Sequence, residues 1–172
     1  MLRQSFIRPI RCIFAGEVST DVTVFRKFLS DLWFTQYSRF VNGVEGSSGF
    51  EHVFLGEIAA GKVEGFHSWV KMYFEDSNGA FNYLGYIQKA DAGTNVILEM
   101  PVDYFGATKV ADQFVVGASP ELEMALATIC FVARPNANCA LQAADGTPYT
   151  LFTYPWNYNG VDYMGSAHAV FV

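Results

Sequence analysis

The apolar residues of this chain change period along its length, and that alternation constrains the fold more than any other feature. From Ser19, the run STDVTVFRKFLSDLWFTQYSRF sets Phe25, Phe28, Leu29, Leu32, Trp33, Tyr37 and Phe40 three and four residues apart. This is the repeat of an amphipathic helix, with Ser19, Thr20 or Asp21 available as its N-cap. GFHSWVKMYFED (65–76) repeats the pattern through Phe66, Trp69, Val70, Tyr73 and Phe74, and SNG (77–79) closes it. A third helix opens in ASPELEMALATIC, where Ser119 caps, Pro120 takes the first helical position, and Glu121 and Glu123 complement the helix dipole from the first turn. RPNAN (134–138) stops it.

Between these segments lie short runs of strand-forming residues: FEHVFLGEI (50–58), NYLGYIQK (82–89), TNVILEM (94–100), KVADQFVV (109–116), CALQAA, YTLFTY and AHAVFV. Glycine-rich and turn-forming stretches separate them, among them NGVEGSSG (42–49), AAGK (59–62), ADAG and NYNG. The order helix, strand, helix, strands, helix, strands predicts an α+β fold of mainly antiparallel sheets packed with helices. With 172 residues, a single domain is expected. Hydrophobic residues at 51% against charged residues at 16% exclude an intrinsically disordered chain.

Charge narrows the partners. Eleven Lys plus Arg against 17 Asp plus Glu give a net charge of −6, which argues against a broad basic face coating duplex DNA. The N-terminal stretch MLRQSFIRPIRCIFAGEV contains no uninterrupted apolar run of signal-peptide or membrane-spanning length, so no membrane partner is expected and the compartment stays open. Three cysteines, Cys12, Cys130 and Cys139, do not make a disulfide-stapled scaffold. Cys130 and Cys139 flank the RPNAN turn, where either a bridge or a reduced pair is tenable.

The densest set of titratable residues in apolar surroundings is SSGFEHVFLGEIAAGKVEGFHSW. His52 stands between Phe50 and Phe54, and His67 follows fifteen residues later near the start of a helix. A strand, turn and helix of that length bring two imidazoles to one cleft, where one accepts a proton and the other donates one. That chemistry suits ribonucleolytic transesterification, in which a cation also holds the charge of the transition state. The competing reading of His52 is a packed core residue. Glu51 and Glu57 have the opposite strand parity to His52, so a regular strand turns both away from it. His168, among small apolar neighbours, reads as structural.

SSGFEHVFLGEI followed by GKVEGFHSWVKMYFED resembles the signature of the EndoU (XendoU, poly(U)-specific endoribonuclease) family, as do LWFTQYSRF upstream and VVGASPELEMALATICFVARPNANC downstream. The resemblance covers 25–172, leaving 1–24 as an N-terminal lead-in segment. It implies an EndoU-like catalytic fold with a site of two histidines and a lysine: His52, His67 and Lys109, the last eight residues before Gly117. Lys89 is the rival cation. In LFTYPW, the resemblance places Thr153 to hydrogen-bond a pyrimidine edge and Tyr154 to stack on a uracil or ribose. The implied activity is uridylate-preferring cleavage of single-stranded RNA by the 2′-OH, giving 2′,3′-cyclic phosphate and 5′-hydroxyl ends, with His52 as acid and His67 as base. Manganese (Mn2+) is implied as an activator that this chemistry does not itself require, with Glu51 and Glu57 as its candidate ligands. Two rivals stand beside this reading: a module of the same fold that binds RNA without turnover, and a metal-dependent hydrolase.

Overall fold

The computed structural model describes residues 18–39 and 46–171. The first helix, α1, spans Val22–Phe34, and Asp21 caps it by accepting from the amides of Thr23 and Val24 at 2.8 and 3.0 Å. It ends before the periodic pattern does. Thr35 is already extended, and Tyr37 leaves the helix to be buried among the rings of Tyr163 and Trp156, its hydroxyl donating to the Met164 carbonyl at 2.5 Å. Phe40, and the part of the expected loop at 42–45, lie outside the described residues.

The largest departure from the sequence reading is the predicted strand at 50–58. Glu51–Leu55 form a π-helical turn, and strand character begins only at β1, Glu57–Ala59. A capping box explains it: the Ser48 amide donates to Glu51 Oε2 at 2.8 Å, and the Glu51 amide donates to Ser48 Oγ at 3.2 Å. Phe50 and Phe54, four residues apart, stack with centroids 5.1 Å apart as neighbours on a helical face. Gly56 ends the turn at φ +71°, packed so closely on Phe66 that a Cβ would fall 2.4 Å from its ring. β1 then pairs with β2, Lys62–Glu64, across Ala60 and Gly61.

Helix α2 spans Trp69–Ser77. The middle sheet follows, with β3 (Phe81–Tyr83), β4 (Gln88–Ala92), β5 (Asn95–Tyr104) and β6 (Ala107–Val116). β3 and β4 share one edge of β5 and β6 takes the other. The single strand predicted at 82–89 is thus two, parted at Leu84–Ile87 where Gly85 has φ +99°. Helix α3, Pro120–Ala133, opens with Ser119 Oγ accepting from the Leu122 amide, as its sequence predicts. A disulfide joins its Cys130 to Cys139 of β7. β7 (Cys139–Gln142), β8 (Pro148–Tyr158) and β9 (Val161–Val170) form an antiparallel sheet in that order.

Both larger sheets carry a bulge opposite a proline. Between Met100↔Asp112 and Val102↔Lys109, one residue of β5, Pro101, faces two of β6, Val110 and Ala111. Between Tyr154↔Ser166 and Pro155↔Met164, β9 carries the extra residue, Gly165. Proline offers no N–H to the ladder, so pairing lapses there and the facing strand takes in an extra residue. One core packs Trp33, Val53 and Phe54 on Met124, Met164 and Ala167, joining both helical segments to the β9 sheet. A second packs Phe66 with Phe81, Val102 and Phe114 on the middle sheet. Burying Phe66 fully is worth about 1.5–3 kcal/mol. Among the described residues, no helix is long and apolar enough to cross a membrane.

Candidate active site

The π-helical turn presents His52, and the strip Gly65–His67 is laced to it by two backbone bonds, Phe66 N to His52 O at 2.9 Å and His67 N to Val53 O at 2.8 Å. The strip is tightly shaped. Gly65 has φ +62°, and a Cβ there would lie 1.9 Å from the His52 carbonyl oxygen, so no other residue fits. Phe66 also has positive φ, at 70°, a conformation costly for a bulky side chain and held here by complete burial of its ring. His67 therefore leaves a backbone that packing determines on both sides.

β6 brings the lysine. Lys109 Nζ donates to the Gly65 carbonyl at 2.6 Å and lies 3.0 Å from Asp112 Oδ1. The same Asp112 oxygen is 2.6 Å from His67 Nδ1, and Asp112 is completely buried. In a regular strand, residues three apart face opposite sides. The bulge opposite Pro101 inserts one residue between Lys109 and Asp112 and turns both to the same face. Lys89 does not reach this cluster: it is exposed on β4, with β5 between it and β6.

Around His52 the partner is Glu57, whose Oε1 lies 3.5 Å from His52 Nδ1. The parity argument that turned Glu57 away fails because the segment is not a strand. Glu57 also accepts a short hydrogen bond from Ser47 Oγ and lies 4.0 Å from Arg39 Nε. Arg39 is anchored by donating to Gly165 O at 2.8 Å, one of the bulge carbonyls, and to the Tyr37 hydroxyl at 2.7 Å. Glu51 belongs to the capping box. As candidate metal ligands, Glu51 and Glu57 thus have their carboxylates committed elsewhere, and the described residues hold no cluster of three or more His, Cys, Asp or Glu arranged for a cation. Among the described residues, the donor set around Glu51 and Glu57 does not fit a resident metal ion.

Burial is the main influence on both histidines and pushes their pKa values below the ordinary 6.5, opposed by Glu57 at His52 and by Asp112 at His67. Burial opposes ionisation of Glu57, but its hydrogen bonds with His52 and Ser47 prevail and hold its pKa below the usual carboxylate value. The pair is therefore neutral imidazoles, each beside a carboxylate.

Thr153 and Tyr154 part company. Thr153 is fully buried, and its Oγ1 has no hydrogen-bond partner among the described residues. Tyr154 is 44% exposed and its ring stacks on His168 at 5.8 Å. His168 in turn stacks on His67, centroids 4.9 Å apart and planes at 29°. The residue expected to be structural lies inside the site. Asp112, Arg39 and His168 are thus the site residues that sequence reasoning missed. The available signals were Pro101 and Pro155, which mark where strand parity resets.

The family model described as Endoribonuclease XendoU matches residues 11–169. The chain belongs to the XendoU endoribonuclease family. It is 40% identical over 154 residues to the uridylate-specific endoribonuclease of Bos taurus, covering 84% of this chain and 37% of that protein. It is 38% identical over 153 residues to uridylate-specific endoribonuclease C of Xenopus laevis, covering 85% of this chain and 49% of that one. The solved structure of XendoU, described as a splicing-independent snoRNA processing endoribonuclease, superposes with a TM-score of 0.77 at 25% identity, covering 96% of this chain and 62% of that one. The chain thus spans half or less of the length of these two curated relatives, and the XendoU structure shares its α+β architecture.

Proposed function

We propose that this chain is a uridylate-preferring endoribonuclease that cleaves single-stranded RNA through the ribose 2′-OH, leaving 2′,3′-cyclic phosphate and 5′-hydroxyl ends. One observation carries the reading: two buried imidazoles, each facing a carboxylate, meet beside a lysine whose ammonium is fixed at two points. Family membership and the names of the relatives support the same chemistry.

His67 is suited to be the base. Asp112 faces its Nδ1 and favours the tautomer with the proton there, which leaves Nε2 as the acceptor for the 2′-OH proton. Burial keeps the ring neutral and ready to accept. The freed 2′-oxygen attacks phosphorus, the bond to the 5′-oxygen breaks, and His52 delivers a proton to that leaving oxygen. Glu57 beside His52, and the phosphate as it arrives, both favour the charged acid form. Lys109 faces the charge that develops on the non-bridging oxygens. Tyr154 offers an exposed ring for a base to stack on.

The test is a short single-stranded RNA containing uridine, incubated with the wild type and with His67→Ala, with and without Mn2+, followed by mass analysis of the ends. Cleavage 3′ of uridine to a cyclic phosphate, lost in the variant and blocked by 2′-deoxyuridine at the cleavage site, is the expected result. Intact RNA in every condition overturns the proposal in favour of a non-catalytic RNA-binding module. Cleavage that survives the 2′-deoxy substitution points to a hydrolase instead.

A further inference from the structure

Three rings form a continuous stack from the interior to the surface: His67, which is buried, His168 on β9, and the half-exposed Tyr154 on β8. The planes differ by 29° and then 23°, at centroid separations of 4.9 and 5.8 Å, within the range of aromatic pairing. His168 Nδ1 lies 2.9 Å from the Ala169 carbonyl oxygen. A carbonyl only accepts, so Nδ1 carries a hydrogen and the orientation of the ring is fixed by its own backbone.

The edge of His67 is held by Asp112, yet an edge contact leaves an imidazole free to swing about that contact. A ring laid on its face removes the remaining freedom. We infer that His168 is a positioning residue for the reaction proposed above: its ring fixes the plane of the His67 imidazole and couples it to Tyr154, the surface on which a base stacks. The proposal rests on reading His67 as the proton acceptor. The other charged or titratable groups around His67 are Asp112 and Lys109 from β6 and His52 from the π-helical turn, and Glu123 of α3 lines a cavity of about 590 Å³ shared with His67 and His168. None of these lies flat on the ring, so none substitutes for His168.

The test compares His168→Ala, His168→Phe and His168→Gln in the full chain. Two readouts are taken: the titration of the His67 imidazole by nuclear magnetic resonance without RNA, and the pH profile of kcat and KM on a uridine-containing single-stranded RNA. In the alanine variant, kcat falls about 10–100-fold with little change in KM, the size of effect that modest misplacement of a catalytic group produces. The His67 titration and the acid limb of the profile move together toward the ordinary histidine value, because the ring face becomes wet. Phenylalanine restores the plane and returns kcat to within a few-fold of wild type. Glutamine, polar and of similar length but without a ring, behaves as alanine does and answers the question if the alanine variant does not fold. A ringless variant whose His67 titration and acid limb stay at the wild-type position overturns the proposal. Should the wild type leave RNA intact, the ribonuclease reading falls, while the titration without RNA still decides whether His168 fixes His67.

Discussion

His52 and His67 have the same kind of partner in unlike settings. Glu57 sits 3.5 Å from His52, is partly exposed, and divides its charge among His52, Ser47 and Arg39. Asp112 sits 2.6 Å from His67, is completely buried, and answers only to His67, Lys109 and the backbone amide of Gln113 among the contacts described. The difference separates two tasks. A shared, half-solvated carboxylate supports an imidazole that takes up a proton when phosphate arrives. A dedicated, fully buried carboxylate fixes one tautomer and one orientation, which a proton acceptor needs.

The strongest way to break that comparison is to remove the rings. His67→Ala and His52→Ala each lose about 10²–10⁴-fold in the rate of RNA cleavage, the usual contribution of a positioned proton-transfer group. Single-turnover rates on one uridine-containing substrate measure this, and a variant that keeps full rate loses its assignment. Lys109→Met comes next, with about 10²–10³-fold lost from kcat as the transition-state charge goes unanswered. It also sharpens the comparison: Lys109 opposes protonation of His67, so without it the acid limb rises in pH. Asp112→Asn costs about 10²-fold through misplacement of His67 and moves the acid limb the other way, since the carboxylate favours the protonated ring. Glu57→Gln falls below that, because Ser47 and Arg39 remain to hold the segment. Equal losses in Asp112→Asn and Glu57→Gln would erase the distinction between the two histidines.

How much of this was legible depended on how local each cause is. The start of α3 was readable because Ser119, Pro120 and the two glutamates act within one turn. The pair His52 and His67, with Lys109, was readable through family resemblance. Glu57 was not, because the spacing of four between Phe50 and Phe54 fits one parity of a strand and one face of a helix equally well. The deciding signal, Ser48 with Glu51 three residues on, was present in the sequence. Asp112 was hidden by the bulge: parity counting from Lys109 sends it to the wrong face unless Pro101, on a different strand, is known to pair opposite. His168 was hidden for a third reason. Which face of β8 and β9 is buried depends on what packs there, and neither strand carries that information alone.

Stability separates the histidine cluster from the α3 end of the same cavity. Glu123 lines the cavity with its Oε2 buried and without a hydrogen-bond partner among the described residues, and burial raises its pKa to about 8. The folded state then holds a proton that the unfolded state releases near 4.5, so stability falls as pH rises from that value through 8. Between pH 6 and pH 8 the linkage removes about 2 kcal/mol, and Glu123→Gln abolishes this part of the slope. His168 has the opposite sign. Burial holds it down to about 4, so its contribution is present above 6.5 and is lost as pH falls through 4. Urea denaturation at several pH values checks both, and an unchanged alkaline slope in Glu123→Gln would mean that the carboxyl is ionised in the folded state.

The smallest expected effect concerns the helical turn under His52. Ser48→Ala removes the hydroxyl that accepts from the Glu51 amide, and with it half of the capping box. Losing such a cap costs about 0.5–2 kcal/mol. The loss is local, because the Ser48 amide still donates to Glu51 Oε2. His67 is tied to this turn from outside, through the backbone bonds from Phe66 N to His52 O and from its own amide to Val53 O, whereas His52 is inside it. The variant therefore loosens the acid more than the base. The His52 imidazole titration moves toward its ordinary value as the turn frays, and the His67 titration stays in place. A shift of equal size in both rings would show that the two histidines are carried by one rigid unit, and the contrast between their settings would then reside in their carboxylates alone.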